Sequence, residues 1–244
     1  MENRNSWHVW VAFILALGLI VSSSIVTWGL LRVKAAGNTI TVTGSAKKEI
    51  VSDLAVWTGN FSVRTKDLKT GYNQLKVNEA TVKKYLIEQG IPEKDIEFSS
   101  INTSTNYVIG PSGQYTSEIE SYVLNEEVKV QSKDVQKLKQ LALQATDLMN
   151  QGLEFQSYPP QYFYTKLPEL KVKMLSLATQ DAKRRAEEIA GNAGSKVGAL
   201  RSARMGVFQI TPRYSNEISD YGINDTSSLE KEITAVVSCS FEIR

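Results

Sequence analysis

Apolar residues recur every four positions between Leu167 and Gly198, a spacing that places them on one face of a long α-helix. The recurring residues are Leu170, Met174, Ala178, Ala182, Ala186 and Ala190, with Leu167, Leu177, Ile189 and Ala193 beside them. Alanine on a buried face lets another backbone approach closely, so the second half of this helix is predicted to pack tightly on a sheet or a neighbouring helix. The candidate packing residues are Ala178, Ala182, Ala186 and Ala190.

Alternation of apolar and polar residues predicts strands elsewhere, beginning with the run from Asp53 to Val63. Further strands are predicted at residues 97–109, 118–131, 153–157, 199–211 and 232–243, and amphipathic helices at 68–86 and 135–149. This order indicates an α+β fold with antiparallel or mixed sheets, helices on one face and two related strand-helix-hairpin units. The pattern leaves open whether the two units form separate lobes.

The run from Val9 to Leu31 has 23 residues and no charge. As a helix it is about 34 Å long, against a bilayer core of roughly 30 Å. Trp7 and Trp10 at one end and Trp28 at the other match the aromatic belts of membrane proteins. The sequence therefore predicts a transmembrane helix that contacts the lipid bilayer. The alternative is a signal peptide cleaved after Ala35, although secretory apolar regions usually have only about 7 to 15 residues.

These features divide the chain into a cytoplasmic tail (1–8), an anchor (9–31), a tether (32–38) and a domain (39–244). Basic residues flank the anchor on both sides, so charge alone does not decide its orientation. Gly18 and Ser22 offer a face of small residues for packing against another transmembrane helix.

Composition excludes several classes of function. Lys and Arg number 28 against 26 for Asp and Glu, and this balance gives no reason to expect a nucleic-acid partner. The only histidine, His8, borders the apolar run, so the domain has no histidine for a catalytic triad or a metal site. Cys239, the single cysteine, lies on an apolar strand face and is interpreted as a buried thiol rather than a nucleophile. We therefore predict no catalytic, cofactor-binding or metal site, and no enzyme.

Two further features have both a structural and a functional interpretation. Asp53 sits between two predicted strands, where a carboxylate caps a turn or serves a function, and the cap is favoured. The segment Tyr158 to Tyr164 has paired prolines that exclude a central strand. Its rings, which belong to Tyr158, Tyr162, Phe163 and Tyr164, form a candidate interface. The alternative is a loop that packs its own rings on the domain.

Three stretches of the domain form distinctive motifs, namely Ile40 to Ala46 followed by Asp53-Leu-Ala-Val, the corner from Gln89 to Ile96, and the helix containing Asp181-Ala182, Ala186, Ile189-Ala190, Gly194 and Gly198. In this order they resemble bacterial SIMPL-domain proteins, formerly a domain of unknown function. Together they cover roughly Thr39 to Arg244.

The resemblance implies an exported domain on the extracytoplasmic side of a bacterial membrane, with a link to envelope or oxidative-stress tolerance. It also implies a ring-like or channel-like homo-oligomer larger than a dimer, which is the partner we expect. The alternative function is an extracytoplasmic binding module for a small ligand or a partner protein.

Overall fold

The computed structural model describes residues 5–36 and 38–244. The helices are α1 (Asn5–Ala36), α2 (Leu68–Glu88), α3 (Val135–Gln144) and α4 (Leu167–Asn192), and 3-10 turns occupy Glu93–Asp95 and Ala145–Gln151. The strands are β1 (Thr39–Val51), β2 (Leu54–Thr65), β3 (Ile96–Phe98), β4 (Asn102–Ile109), β5 (Tyr115–Ser132), β6 (Glu154–Ser157), β7 (Gln161–Phe163), β8 (Val197–Met205), β9 (Gln209–Pro212), β10 (Ile223–Asn224) and β11 (Glu230–Ile243).

The strands form two sheets, which confirms the α+β prediction. One has the order β1-β11-β9-β10, with β8 also paired to β11, and the other has the order β3-β5-β2-β6, with β4 paired to β5 and β7 paired to β2. The β9–β10 pair is parallel, whereas β2 and β5 are antiparallel from Ala55↔Ser132 to Thr65↔Tyr122.

The described chain divides into two compact units. One comprises residues up to Ala46, Lys171–Val207 and Thr234–Arg244, and the other comprises Lys47–Leu170 and Phe208–Ile233. The core of the second unit lies between one face of β2 and β5 and the helices α2 and α3. Its fully buried side chains include Trp57, Phe61, Leu75, Leu86, Val128, Val130, Leu138 and Leu148. The predicted second strand-helix unit adds β6 and β7 to the edge of β2, so it shares a sheet with the first.

Helix α4 buries the six apolar residues that the sequence placed on one face, which confirms that prediction. Leu170, Met174, Ala178, Ala182, Ala186 and Ala190 are each at most 5% exposed. Leu177 and Ile189 were wrongly included, since they are 39% and 54% exposed and point away from the buried face. The helix ends at Asn192, and Gly194 follows with φ of +74°, the left-handed conformation expected after a helix.

Several predicted boundaries shift in the structure. Residues 97–109 divide into β3 and β4, because Ser99 interrupts the pairing by bonding Glu127 through its N–H and its hydroxyl. Residues 199–211 divide into β8 and β9. Helix α1 continues to Ala36, so most of the predicted tether is helical. Residues 1–4 of the predicted tail and Gly37 lie outside the described residues.

Candidate interaction surfaces

Helix α4 lies in backbone contact with β1. A Cβ atom built on Gly44 would be 2.2 Å from the Ala178 carbonyl oxygen and 2.3 Å from the Ala182 nitrogen. No side chain fits between the two elements at this point, because real Cβ contacts are not that short. The tight approach predicted from the alanines is therefore made to a strand, and a glycine on the strand permits it.

Asp181 ties the same helix to the same strand. Its carboxylate accepts hydrogen bonds from the Ser45 N–H at 3.0 Å and from Arg184 and Arg185 at 2.7 Å each. The Ser45 N–H and then the Arg184 guanidinium lower the pKa of Asp181 to about 2. The spacing of four residues between Asp181 and Arg185 makes their pairing visible in the sequence, whereas no local pattern indicates the bond to β1. Both Asp181 and Gly44, which belong to family-like motifs, thus have structural roles.

Asp53 has the structural role that the sequence favoured. Its two carboxylate oxygens accept from the N–H and the hydroxyl of Thr165, at 2.7 and 2.8 Å, and its own N–H donates to the Phe163 carbonyl at 2.9 Å. These bonds hold the turn between β7 and α4, although Asp53 lies 112 residues before Thr165 in the sequence. The carboxylate is fully used in holding this turn.

The aromatic segment is mostly a part of the fold. Gln161–Phe163 forms the edge strand β7 on β2, and Tyr162 is only 6% exposed within the core. Because its ring packs inside its own subunit, Tyr162 is the least accessible of the four candidate interface residues. Phe163 and Tyr164 are half-buried and line a cavity of about 60 Å³. Of the four candidates Tyr158 is the most open, at 40% exposure.

A buried lysine, Lys231, is hydrogen-bonded to the aromatic segment. Lys231 is 3% exposed, and its ammonium donates to the Tyr162 carbonyl at 2.6 Å and to the Asp225 carbonyl. Burial lowers the pKa of Lys231, and the charge of Asp225 opposes that effect. The sequence pattern did not single out Lys231 or Asp225. Two carbonyl partners make Lys231 a structural cation rather than a free amine.

The chemistry-bearing side chains are few. Cys239 is fully buried, and burial raises the pKa of its thiol, which opposes formation of the reactive thiolate. Within residues 5–36 and 38–244, no three His, Cys, Asp or Glu side chains are grouped to hold a metal ion.

Glu126 is a buried acid that the sequence analysis missed. It is 2% exposed, its Oε1 lies 3.6 Å from the Lys76 ammonium, and its Oε2 has no hydrogen-bond partner among the described residues. Lys76 also pairs with Glu79 on the next turn of α2. The signal was present in the alternation of β5, which puts Glu126 on the same face as Leu124 and Val128. Burial, and then the charge of Glu79, raise the pKa of Glu126 above its ordinary value of 4.5, while Lys76 opposes the rise.

We expect Glu126→Gln to change how stability depends on pH. With the folded pKa above 4.5, the unfolded chain ionises first, so ionisation of Glu126 costs stability as pH rises from about 4.5 to the folded pKa. The variant should therefore gain stability relative to the wild type across this window, and the gain should level off above it. Urea unfolding in mild detergent from pH 4 to 8 measures the difference.

The matched control is Glu127→Gln, because this neighbour has the same charge but faces solvent. A difference between the Glu126→Gln variant and the wild type that stays constant over the whole pH range would contradict the assignment.

A hairpin arm, defined as residues 106–121, carries exposed apolar side chains. The pairing of β2 with β5 ends at Thr65↔Tyr122, so beyond this point β5 pairs with β4 alone. Tyr107, Ile109, Tyr115 and Ile119 are between 41% and 76% exposed. The sequence predicted the two strands of this hairpin but did not single out these four residues, although their spacing was visible.

Helix α1 is apolar and uncovered. Trp10–Gly29 has a mean hydropathy of 2.2, with none of it buried in the described chain. The hydroxyls of Ser23 and Thr27 donate to the Ile20 and Ser23 carbonyls, at 3.0 and 2.8 Å, so they are satisfied without water. Gly18 and Ser22 are exposed, and a Cβ at Gly18 would meet nothing within 4 Å. The helix is long and apolar enough for a membrane anchor or a signal sequence.

Comparison with known proteins places this architecture in a family. No curated protein matches the sequence. The family described as "SIMPL: Protein of unknown function (DUF541)" matches residues 40–241. This range contains the helices α2 to α4 and all the strands, apart from the first residue of β1 and the last two residues of β11. It also contains Gly44 and Asp181, where β1 contacts α4. Because the match covers most of its length, the chain belongs to the SIMPL (DUF541) family.

Proposed function

We propose that this SIMPL-family protein is a non-enzymatic, single-pass membrane protein whose extracytoplasmic domain self-assembles into a closed homo-oligomer larger than a dimer. The observation that carries the proposal is apolar surface without cover, first along Trp10–Gly29 and then on the hairpin arm. A soluble monomer would leave both in water, at a cost of about 25 cal/mol for each Å².

Anchoring and assembly support one another. A bilayer covers α1 on all sides, and its 20-residue apolar span is sufficient to cross. Anchored copies share one plane, which raises their effective concentration for contacts between domains. Open strand edges such as that of β4 favour pairing with another chain. A contact between different patches on two copies closes into a ring when its rotation allows.

The non-enzymatic part of the proposal rests on how the reactive side chains are used. Asp53 and Asp181 are engaged in hydrogen bonds that hold α4, and Lys231 is engaged by two backbone carbonyls. Cys239 is inaccessible. We propose a role at the cell envelope, in envelope or oxidative-stress tolerance, through scaffolding, occlusion or conduction.

A binding module for another protein is the second candidate, and the arm also favours it. The aromatic segment gives little support for a small-ligand site, because the cavity beside Tyr162 and Lys231 measures only about 60 Å³, below the range of roughly 300 to 1,000 Å³ typical of ligand pockets. A groove on α2 that includes Lys76, Tyr85 and Gln151 measures about 790 Å³ and is the place where a small ligand would fit by size.

Mass photometry of the full-length protein in mild detergent tests the assembly. We expect one dominant species larger than a dimer that persists on dilution through the micromolar range. Monomer alone across that range would contradict self-assembly. Deletion of residues 1–36 separates the contributions, since an assembly carried by the domain survives and one carried by Gly18 and Ser22 does not.

N-terminal sequencing of the protein recovered from membranes tests the anchor. We expect the N-terminus to precede α1, with the domain sensitive to protease from the extracytoplasmic side. A mature chain starting at Ala36 would instead identify a cleaved signal peptide.

A further inference from the structure

The arm has one apolar face. Tyr107 lies directly opposite Ile119 and Ile109 lies opposite Tyr115, so the four side chains project from the same side of the ribbon. They are 41%, 45%, 62% and 76% exposed, in that order. A two-stranded ribbon alone is only marginally stable in water. A partner that covers this face would both bury the rings and stabilise the ribbon.

The charge of the arm restricts the choice of partner. Residues 106–121 include Glu118 and Glu120 and no Lys or Arg. An anionic lipid surface attracts basic segments and repels acidic ones, so the arm is poorly suited to bind one. A basic surface with apolar side chains is the complement.

Strand β8 in the other unit is such a surface. It pairs with β11 alone, and residues 199–205 are all exposed. Leu200 and Met205 lie opposite Phe241 and Val237 on β11, yet they are 48% and 56% exposed. No part of the described chain covers this end of the sheet.

The charge of β8 is the opposite of that of the arm. Strand β8 contains Arg201 and Arg204 and no acidic residue. Arg201 pairs with Glu242 at 2.9 Å, whereas Arg204 makes no ion pair with the described residues. The free edge of β8 also offers unpaired backbone groups, which favour the addition of a strand or ribbon.

We infer that the free β5 edge of the arm in one copy pairs with the free edge of β8 in a second copy. This pairing places the apolar face of the arm beside Leu200 and Met205, and it places the acidic residues Glu118 and Glu120 beside Arg201 and Arg204. This inference rests on the proposed self-assembly and assigns its contact. The contact is heterologous, because each copy gives an arm to one neighbour and receives an arm from another. Repetition of a heterologous contact produces a ring or a filament.

The first test removes the apolar contact. In the full-length protein, we expect the double substitution Ile109→Ser with Tyr115→Ser to weaken assembly. The concentration at which half of the assembly is dissociated should rise at least tenfold. The matched control is Ile218→Ser with Tyr221→Ser, which removes the same two side chains from sites that are 84% and 96% exposed. The control should assemble like the wild type.

The second test uses the polarity of the contact. An arm variant, Glu118→Arg with Glu120→Arg, and an edge variant, Arg201→Glu with Arg204→Glu, should each fail to assemble alone. In a mixture of the two, the native arm matches the native β8 and the reversed arm matches the reversed β8, so the mixture should recover assemblies larger than a dimer in which the two variants alternate. Placing all four changes in one chain restores complementary charge and should recover larger assemblies.

The outcomes separate the two ideas. Wild-type assembly together with unchanged assembly of the arm variants would overturn the arm contact and leave self-assembly in place. A monomeric wild type would overturn the proposed function itself. Unchanged assembly combined with loss of arm-dependent binding to phosphatidylcholine vesicles would identify lipid as the occupant and would also overturn the arm contact. Circular dichroism of each variant establishes that its subunit is folded.

Discussion

Replacing Gly44 with alanine is expected to destabilise the protein by about 3 kcal/mol, the upper part of the range for overpacked sites. The new methyl group would lie 2.2 and 2.3 Å from backbone atoms of α4, so it cannot be accommodated by rotating a side chain. The helix must move away from β1, and the movement would also stretch the 3.0 Å bond from Ser45 to Asp181. Thermal and urea unfolding in mild detergent, followed by circular dichroism, measure the loss.

The control for this prediction lies on the same helix. A Cβ at Gly191 would meet nothing within 4 Å, so Gly191→Ala should be neutral or should stabilise the helix by up to about 1 kcal/mol. Equal stability of the Gly44→Ala variant and the wild type would show that β1 and α4 do not pack as closely as described.

The second large effect is expected for Tyr162→Ala. The ring is 6% exposed in the core, and removing a large aromatic side chain from such a site costs about 3 kcal/mol or more. The substitution should therefore lower the stability of each subunit, so any loss of assembly would follow from unfolding. The unfolding midpoint and the assembly state, measured on the same sample, distinguish the two effects.

Tyr158→Ala is the comparison from the same segment. The side chain of Tyr158 is 40% exposed. Its backbone N–H donates to the Thr58 carbonyl, and this hydrogen bond remains when the side chain is replaced. We expect a change within about 0.5 kcal/mol. If Tyr162→Ala were equally mild and only assembly were lost, the aromatic segment would be an interface after all.

These two positions also bear on function. The Gly44–Asp181 joint and the Tyr162–Lys231 region both use distinctive residues to hold strands and α4 in place. What remains free for interaction is the outer surface, above all the arm and β8.

Local sequence pattern determined the elements of this protein. The four-residue repeat of α4 and the alternation in β2, β5 and β11 depend on periodicities of 3.6 and 2 residues, which a sequence displays directly. The glycines after α2 and α4 were equally visible, because only a residue without Cβ readily adopts φ of +74°. The apolar run of α1 was evident from its length and composition.

The tertiary structure decided which partner each element meets. Asp53 and Thr165 are 112 residues apart, and Ser45 and Asp181 are 136 apart, so no local period relates them. The same limit applies to Tyr162, because an aromatic side chain suits an interface or a core equally well and only the tertiary structure shows that it is buried. Burial of Glu126 depends on the packing of α2 against β5, and exposure of the arm depends on where β2 stops pairing with β5. Strand register is set by packing over the whole sheet, which a single segment of sequence does not encode.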